Sequence, residues 1–152
     1  MLQITRKADY AVRLVMEVAS ARQDETVTTA LVARRQEIPY QFLRKVAQTL
    51  TAGGVLTGER GGAGGLSLAR PAEQISVLDV LMALDTPQVN DCSINPDNCK
   101  RRSVCAAYPV WSEAQREMER ILGRTPISRL ARVHRAIEER LPTADCGTND
   151  SL

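Results

Sequence analysis

The stretch TTALVARRQEIPYQFLRKVAQTLTAGG, residues 28–54, contains the pattern that decides the fold. A threonine at its start is expected to cap a short helix, which Ile38-Pro39 ends because proline disfavours a helical backbone in the residue before it. A second helix is predicted from about Pro39 to Ala52, and Gly53-Gly54 end it. Its apolar residues fall on one face at helical spacing: Phe42, Leu43, Val46, Ala47 and Leu50. The stretch therefore predicts two helices joined by a tight turn.

A β-hairpin is predicted immediately after these helices. Val55–Thr57 and Leu66–Leu68 are short strand-like pieces, and GERGGAGG between them is a glycine-rich tip. The tip lacks the lysine and the Ser/Thr of a phosphate-binding loop, and no helix opens directly behind it. Two helices with a tight turn, followed by a hairpin, make a winged helix-turn-helix. We therefore expect a mainly α fold with a small β-hairpin wing.

Four further helices are predicted outside this stretch. Thr5 caps the first, over residues 5–21, and Ser76 begins another with Asp79 in the capping-box position. A longer amphipathic helix runs from about Val110 to Leu122, and Thr125-Pro126 opens the last, which runs to about Leu141. The expected organisation is a winged helix-turn-helix domain (1–84), an irregular loop (85–108), a long helix with a C-terminal helix (109–141) and a disordered tail (142–152).

The charge of the chain is distributed unevenly. Residues 1–70 contain ten Lys/Arg and six Asp/Glu, a net of +4, whereas residues 71–152 contain ten and twelve, a net of −2. A basic first half suits contact with a polyanion. No apolar run approaches the roughly 20 residues that a membrane-spanning helix needs. Charged residues interrupt the N-terminal apolar positions, so no signal peptide is expected, and the protein should be cytoplasmic with no membrane partner.

Polar and basic side chains occupy the side of the second helix that is opposite its apolar stripe. Arginine and glutamine there can donate to phosphates or to base edges. An arginine in a glycine-rich tip can enter a narrow minor groove. A solvated helix face and an ordinary hairpin are the alternative explanation. The candidate DNA-contacting residues are Thr28, Pro39, Tyr40, Gln41, Arg44, Lys45 and Arg60.

Three of the four cysteines fall within one short segment, as Cys92-x6-Cys99-x5-Cys105. In a cytosolic protein such a group points to metal or redox chemistry. Zinc sites usually pair their ligands as Cys-x2–4-Cys, a spacing that this segment lacks, and the single histidine, His134, lies well away in the sequence. Wider spacing in a loop suits an iron–sulfur cluster. Zinc, a metal-free thiol–disulfide switch and three idle thiols are the alternatives, and Cys146 is assigned no role.

The chain resembles the iron–sulfur-responsive winged-helix repressors that include IscR, NsrR and RirA. The resemblance covers roughly residues 1–140 and rests on ITRKADYAVRLVMEVA, IPYQFLRKVAQTLTAGGVL, GERGGAGGLSLAR and ISVLDVLMALD, followed by three cysteines before a long helix. It implies a homodimer in which the long helix crosses its counterpart. The cluster would lie near that helix and against the first helix of the other subunit, and the dimer would bind a pseudo-palindromic operator in double-stranded DNA.

Carried over residue by residue, the resemblance implies Cys92, Cys99 and Cys105 as cluster ligands. In one branch the fourth ligand is a histidine three residues after the last cysteine, where this chain has Tyr108. In another branch an aspartate near the start of the first helix serves from the other subunit, and Asp9 occupies that place. The simpler role for Asp9 is a first-turn acid that the helix dipole stabilises. We expect a 4Fe–4S cluster, with 2Fe–2S as the alternative.

The function expected from these features is that of a dimeric transcriptional regulator, and more specifically a repressor. It would respond to nitric oxide, oxygen, iron or cluster supply through its iron–sulfur centre. No catalytic constellation is present in the sequence, so an enzyme is not expected. Two alternatives are a metal-free thiol-redox regulator of the same fold, and a small redox or cluster-carrier protein that does not bind DNA.

Overall fold

The computed structural model describes residues 4–22, 25–58 and 64–140, and the mainly α fold with a hairpin is confirmed. Arg60, Cys146 and the predicted tail lie outside the described residues. In the described ranges no helix is both long and apolar enough to cross a membrane. The elements are α1 (Arg6–Ser20), α2 (Thr29–Arg35), α3 (Tyr40–Ala52), β1 (Leu56–Gly58), β2 (Leu66–Leu68), α4 (Val77–Met82), α5 (Asp91–Ile94), α6 (Tyr108–Gly123) and α7 (Ile127–Glu138).

Helix α1 is the centre of the fold. Thr5 is its N-cap, as predicted, and Thr5 Oγ1 accepts a hydrogen bond from Ala8 N–H at 3.2 Å. Leu14 and Val15 on its inner face are fully buried, which stabilises the fold by about 1.5–3 kcal/mol for each side chain. Because α1 packs against α3, α4 and α7, it connects the helix-turn-helix to the C-terminal helices.

The turn between α2 and α3 is a Schellman motif. Ile38 N–H donates to the Ala33 carbonyl at 2.9 Å, and Glu37 N–H donates to the Arg34 carbonyl at 3.4 Å. These two bonds satisfy carbonyls at the end of α2 that have no partner within the helix. Glu37 consequently adopts a φ of 52°, a left-handed conformation in which glycine is more usual. The turn therefore carries backbone strain at a residue with a side chain.

The same motif ends α3. Val55 N–H donates to the Leu50 carbonyl at 3.0 Å, and Gly54 N–H donates to the Thr51 carbonyl at 3.1 Å. Gly54 has a φ of 69°, which glycine adopts without a steric penalty. Val55 thus closes the turn after α3, and β1 begins one residue later than predicted.

The hairpin packs against the helices through its backbone and its leucines. β1 and β2 are antiparallel, with Leu56 opposite Leu68. Leu66 N–H also donates to the Val27 carbonyl at 2.7 Å, which ties the hairpin to the segment before α2. The hairpin base is therefore held in a defined position beside the helix-turn-helix.

Helix α4 begins at the predicted capping box. Ser76 Oγ accepts from Asp79 N–H at 3.1 Å, and Asp79 Oδ2 accepts from Ser76 N–H at 2.8 Å. The hydrogen bond from the Ser76 backbone, above all, lowers the pKa of Asp79 below its ordinary value of 3.8. The pair satisfies two backbone donors that a helix start otherwise leaves unpaired.

The start of α7 lies beside the start of α4. Val77 N–H donates to the Thr125 carbonyl at 2.9 Å, and Ile127 N–H donates to the Ile75 carbonyl at 2.8 Å. Thr125 was predicted as the N-cap of α7, but Pro126 occupies that position, and the Thr125 hydroxyl instead donates to a carbonyl of α6. These two backbone bonds therefore direct α7 back along α1.

Three further features differ from the sequence prediction. Helix α6 begins at Tyr108, two residues before the predicted start, because Pro109 fits the first turn of a helix. Phe42 was predicted on the apolar face of α3, yet it is 40% exposed and packs edge to face against Tyr10. The segment 85–108, predicted as irregular, contains α5 and two single 3-10 turns.

Candidate DNA interface and cysteine loop

The outer face of α3 is polar, basic and exposed. Tyr40, Gln41, Arg44 and Lys45 are all exposed, while the opposite face is fully or nearly fully buried: Leu43, Val46, Ala47 and Leu50. In the described ranges neither Arg44 nor Lys45 takes part in an ion pair. The sequence-predicted residues of this helix are thus brought together on one accessible face.

An open groove lies between this face of α3 and the hairpin. Its volume is about 490 Å³, and Tyr40, Arg44 and Gln48 line it from α3 while Leu66 lines it from β2. Gln48 was not singled out from the sequence; its position four residues after Arg44 places it on the same helical face. The groove shows that α3 and the wing border a common surface.

Thr28 and Pro39 lie at the starts of the two helices. Thr28 Oγ1 accepts from Leu31 N–H at 3.1 Å, so its hydroxyl oxygen caps α2. Pro39 is the N-cap residue of α3 and is exposed. A hydroxyl that accepts in a cap retains its own hydrogen for donation, so Thr28 can cap α2 and still contact a phosphate.

The three loop cysteines are free thiols, and each is half-buried. Cys92 lies in the short helix α5. Cys99 and Cys105 each follow a single 3-10 turn, at residues 96–98 and 102–104 respectively, and each is the C-terminal cap of that turn. Cys99 lines an open cleft of about 480 Å³ together with Lys100, Arg102 and Tyr108. The loop therefore presents partly accessible thiols next to basic side chains.

The donor set of this loop fits a cluster better than a single metal ion. Within the described residues the three thiols form no group whose ligand atoms all lie within 4.8 Å of one another, as the ligands of one ion would. A 4Fe–4S cluster offers a separate iron to each thiolate, so its ligands are spaced more widely than those of a single ion. The exposed side chains of Lys100, Arg101 and Arg102 can offset the negative charge of thiolates.

Tyr108 lies three residues after Cys105, at the place of the histidine ligand in one branch of the family that the chain resembles. It is half-buried, and the Arg102 guanidinium lies 5.0 Å from the centre of its ring. A cation over an aromatic face is stabilised by the ring quadrupole. Tyr108 therefore packs with the basic side chain of the loop in this structure.

Gln115 on α6 connects the helix to the segment before the cysteines, and it was missed from the sequence. Its side chain is buried; Oε1 accepts from Val89 N–H at 2.8 Å and Nε2 donates to the Pro87 carbonyl at 2.9 Å. Nε2 also donates to Glu119 Oε1 at 2.7 Å. A glutamine beside the charged residues of an amphipathic helix gives no sequence signal of such a contact.

Asp9 lies in the first turn of α1, close to Arg13. Its Oδ2 is 3.1 Å from Arg13 Nε, and both side chains are half-exposed. Within the described residues Asp9 belongs to no group of metal-ligating side chains with the cysteines of its own chain. Next to it, a largely apolar groove of about 810 Å³ is bordered by the start of α1, by residues 81–89 and by α6.

The family model for Rrf2, described as an iron-dependent transcriptional regulator, matches residues 4–132. Protein rrf2 of Nitratidesulfovibrio vulgaris is 30% identical over 132 residues, which cover 86% of this chain and 88% of the relative. The HTH-type transcriptional regulator IscR of Xenorhabdus nematophila is 26% identical, over 86% of this chain and 80% of that protein.

Two solved structures are similar in fold. CymR of B. subtilis, a global cysteine regulator, superposes with a TM-score of 0.70 at 20% identity, covering 88% of this chain and 98% of that chain. IscR of T. potens superposes with a TM-score of 0.67 at 22% identity, covering 93% of each chain.

Proposed function

We propose, because this chain belongs to the Rrf2 family of transcriptional regulators, that it is a homodimeric DNA-binding repressor controlled by an iron–sulfur cluster. Regulation of transcription through DNA binding follows from the family, and the chain is not an enzyme. The cluster, its ligands, the dimer and the nature of the signal are the proposed part. The observation that carries it is the group of three free, half-buried thiols in a short loop beside basic side chains.

The proposed DNA-contacting surface is the outer face of α3 together with the wing. Gln41 and Arg44 are exposed on one face of α3, and their side chains can make paired hydrogen bonds with base edges in the major groove. Thr28, Tyr40 and Lys45 would donate to phosphates and so position the helix, and Pro39 would lie against the DNA backbone beside them. Arg60, in the glycine-rich tip, is proposed to enter the neighbouring minor groove.

The DNA test compares Arg44→Ala with Arg132→Ala, which removes the same charge from an exposed position on α7. We expect Arg44→Ala to weaken operator binding by about 1–3 kcal/mol and to relax specificity. Arg132→Ala should bind the operator with an affinity close to that of the unaltered protein. Fluorescence anisotropy at fixed salt, with operator and scrambled duplexes, measures both effects. Equal affinities for the two variants would contradict the proposed role of α3.

The proposed cluster ligands are Cys92, Cys99 and Cys105, with Asp9 of the other subunit as the fourth. A bound cluster would supply a centre that oxygen or nitric oxide can attack and that depends on iron supply. The loop thiols hold it, and the neighbouring cations stabilise their thiolate forms. The 4Fe–4S form is proposed because no histidine follows Cys105 at the position that Tyr108 occupies.

The cluster test is the iron content, absorption and Mössbauer spectrum of the protein purified without oxygen. Each of Cys92→Ala, Cys99→Ala and Cys105→Ala should lose iron, while Cys146→Ala serves as the matched thiol control and should keep it. Asp9→Ala should retain a cluster that is more easily lost to a chelator. Iron retained in any of the three loop variants would refute this ligand set.

A metal-free thiol regulator is the second candidate function, because the same half-buried thiols could form disulfides. The structure of Staphylococcus aureus CymR in an oxidized form, 22% identical with a TM-score of 0.68, is a fold relative described in an oxidised state. In that case the purified protein would contain no iron. Its DNA affinity would instead change reversibly between oxidised and reduced thiols.

A further inference from the structure

We propose that Glu17, His134 and Glu138 form a second metal site, which binds a divalent ion such as Zn²⁺ and is independent of the cysteine loop. The three side chains come from α1 and α7. Each offers one ligand atom, and these atoms all lie within 4.8 Å of one another. A nitrogen with two carboxylate oxygens is a donor set that zinc accepts.

The first argument is the unpaired nitrogen at the centre of the group. His134 Nε2 exposes less than 1 Å² and has no hydrogen-bond partner among the described residues. It lies 3.3 Å from Glu17 Oε1 and 3.3 Å from Glu138 Oε1, but without the alignment of a hydrogen bond. Buried polar atoms without a partner are rare, and an unplaced ion is one of the recognised reasons for them.

The second argument is the spacing of these atoms. Zinc bonds to nitrogen and oxygen ligands at about 2.0–2.1 Å, so two ligands of a tetrahedral zinc ion lie about 3.3–3.4 Å apart. Both nitrogen-to-oxygen distances, at 3.3 Å, match that edge. The Glu138 side chain is 51% exposed, which allows it to close the remaining oxygen-to-oxygen separation.

The third argument is charge. The Glu17 side chain is only 2% exposed, and burial of a carboxylate is unfavourable unless its charge is compensated. Arg35 Nη1 is 3.5 Å from Glu17 Oε2, but the same guanidinium is closer to Glu25, at 2.8 Å. The hydrogen bond from Arg35 is the main cause that lowers the pKa of Glu25. A divalent ion would neutralise the two carboxylates that face His134.

The surroundings complete the site. Gln36 Nε2 donates to Glu17 Oε1 at 2.5 Å and orients that carboxylate, as outer-shell partners of metal ligands do. Glu17 and Glu138 also line a cavity of about 610 Å³, which leaves room for a water as the fourth ligand. Gln36 is the C-cap residue of α2, so the ion would connect α7 to α2, the first helix of the helix-turn-helix.

The test uses the full chain with serine at all four cysteines (Cys92→Ser, Cys99→Ser, Cys105→Ser, Cys146→Ser), so that thiols cannot bind the metal. After chelator treatment, equilibrium dialysis with Zn²⁺ should give one ion per chain, and the melting temperature should rise with zinc concentration. His134→Gln and Glu138→Gln should bind zinc at least about 10–100-fold more weakly. Glu139→Gln, a neighbouring carboxylate on the same cavity, is the matched control and should behave as the parent.

Absence of zinc binding to the folded parent would overturn the proposal, as would equal binding by the parent, His134→Gln and Glu138→Gln. If the serine variant does not fold, Co²⁺ titration of the chain with its native cysteines replaces it. His134→Gln should then remove one bound ion without changing the thiolate-to-cobalt absorption. A cobalt stoichiometry unaffected by His134→Gln would count against the site. The zinc test and the iron test use different variants, so a negative result for the proposed zinc site would leave the proposed cluster site untouched, and the reverse also holds.

Discussion

The two Schellman motifs around α3 carry different residue types at their left-handed position, and this difference predicts opposite effects of two substitutions. Glu37 ends α2 with a φ of 52°, and Gly54 ends α3 with a φ of 69°. The backbone hydrogen bonds of the two turns are otherwise equivalent. Glu37→Gly removes a side chain from the left-handed position, and Gly54→Ala adds a Cβ there. The two substitutions together therefore isolate the cost of a side chain in a left-handed conformation.

The magnitude follows from the local geometry. A Cβ at Gly54 would meet nothing within 4 Å, so Gly54→Ala introduces only backbone strain. That strain is roughly 1–2 kcal/mol, and the lower entropy of the unfolded chain offsets about 0.4–1 kcal/mol of it. We expect a net loss of about 1 kcal/mol, or a melting temperature about 2–4 °C lower. Glu37→Gly reverses both effects and should raise the free energy of unfolding by a few tenths to about 1 kcal/mol.

Thermal and urea unfolding followed by far-ultraviolet circular dichroism, at one fixed protein concentration, measures both changes. Glu37→Ala is the control, because alanine and glutamate carry the same strain at this φ, and its stability should equal that of the unaltered protein. The strain argument would be refuted if Glu37→Gly lowered the free energy of unfolding, as a glycine in a helix interior does. It would also be refuted if Gly54→Ala left the free energy of unfolding unchanged.

Three further predictions concern the start of α4, the contact between the C-cap residues of α3 and α4, and α6. The pKa of Asp79 is lowered in the folded state, so its stabilising contribution is complete above the unfolded value near 3.8 and is lost as the pH falls through the lower folded value. Urea unfolding of Asp79→Asn should therefore show a deficit of about 0.5–2 kcal/mol at neutral pH that disappears in strong acid. A Cβ at Gly53 would lie 2.7 Å from Ala83 Cβ, so Gly53→Ala should cost about 1–3 kcal/mol in the same assay, and an unchanged stability would contradict this close approach. Gln115→Leu should destabilise the fold by about 1–3 kcal/mol because Val89 N–H loses its acceptor. The same substitution should weaken the response of operator affinity to iron loading. Arg116→Leu, on the exposed side of α6, should have neither effect.

The helix-turn-helix could be predicted from the sequence because its signals are local. Pro39 interrupts the helix before it, Gly53-Gly54 end α3, and Ser76 with Asp79 begins α4; each acts within one turn of its own position. The apolar spacing of α3 also placed Arg44 and Lys45 on the exposed face. The exposed position of Phe42 was not foreseen, because periodicity cannot tell a core contact from a contact with one ring of α1.

Features that depend on elements distant in the sequence, such as the start of α7 and the burial of Gln115, were less well predicted. Thr125 satisfies the usual pattern of an N-cap before a proline, yet its carbonyl pairs with Val77 and its hydroxyl bonds to α6. Gln115 looks like a solvated residue in the sequence and is buried against the loop in the structure. In both cases a partner that is distant in sequence overrides the local preference.

The sequence by itself determined the order and type of the main elements, the polar face of α3 and the grouping of the three cysteines, because helix caps, turns and short spacings act locally. Only the tertiary structure brought His134 to Glu17. The two residues are far apart in the chain, and their contact depends on α7 returning along α1 after the backbone bond between Ile127 and Ile75. A lone histidine on an amphipathic helix does not specify its partner, because that partner is chosen by how two helices pack.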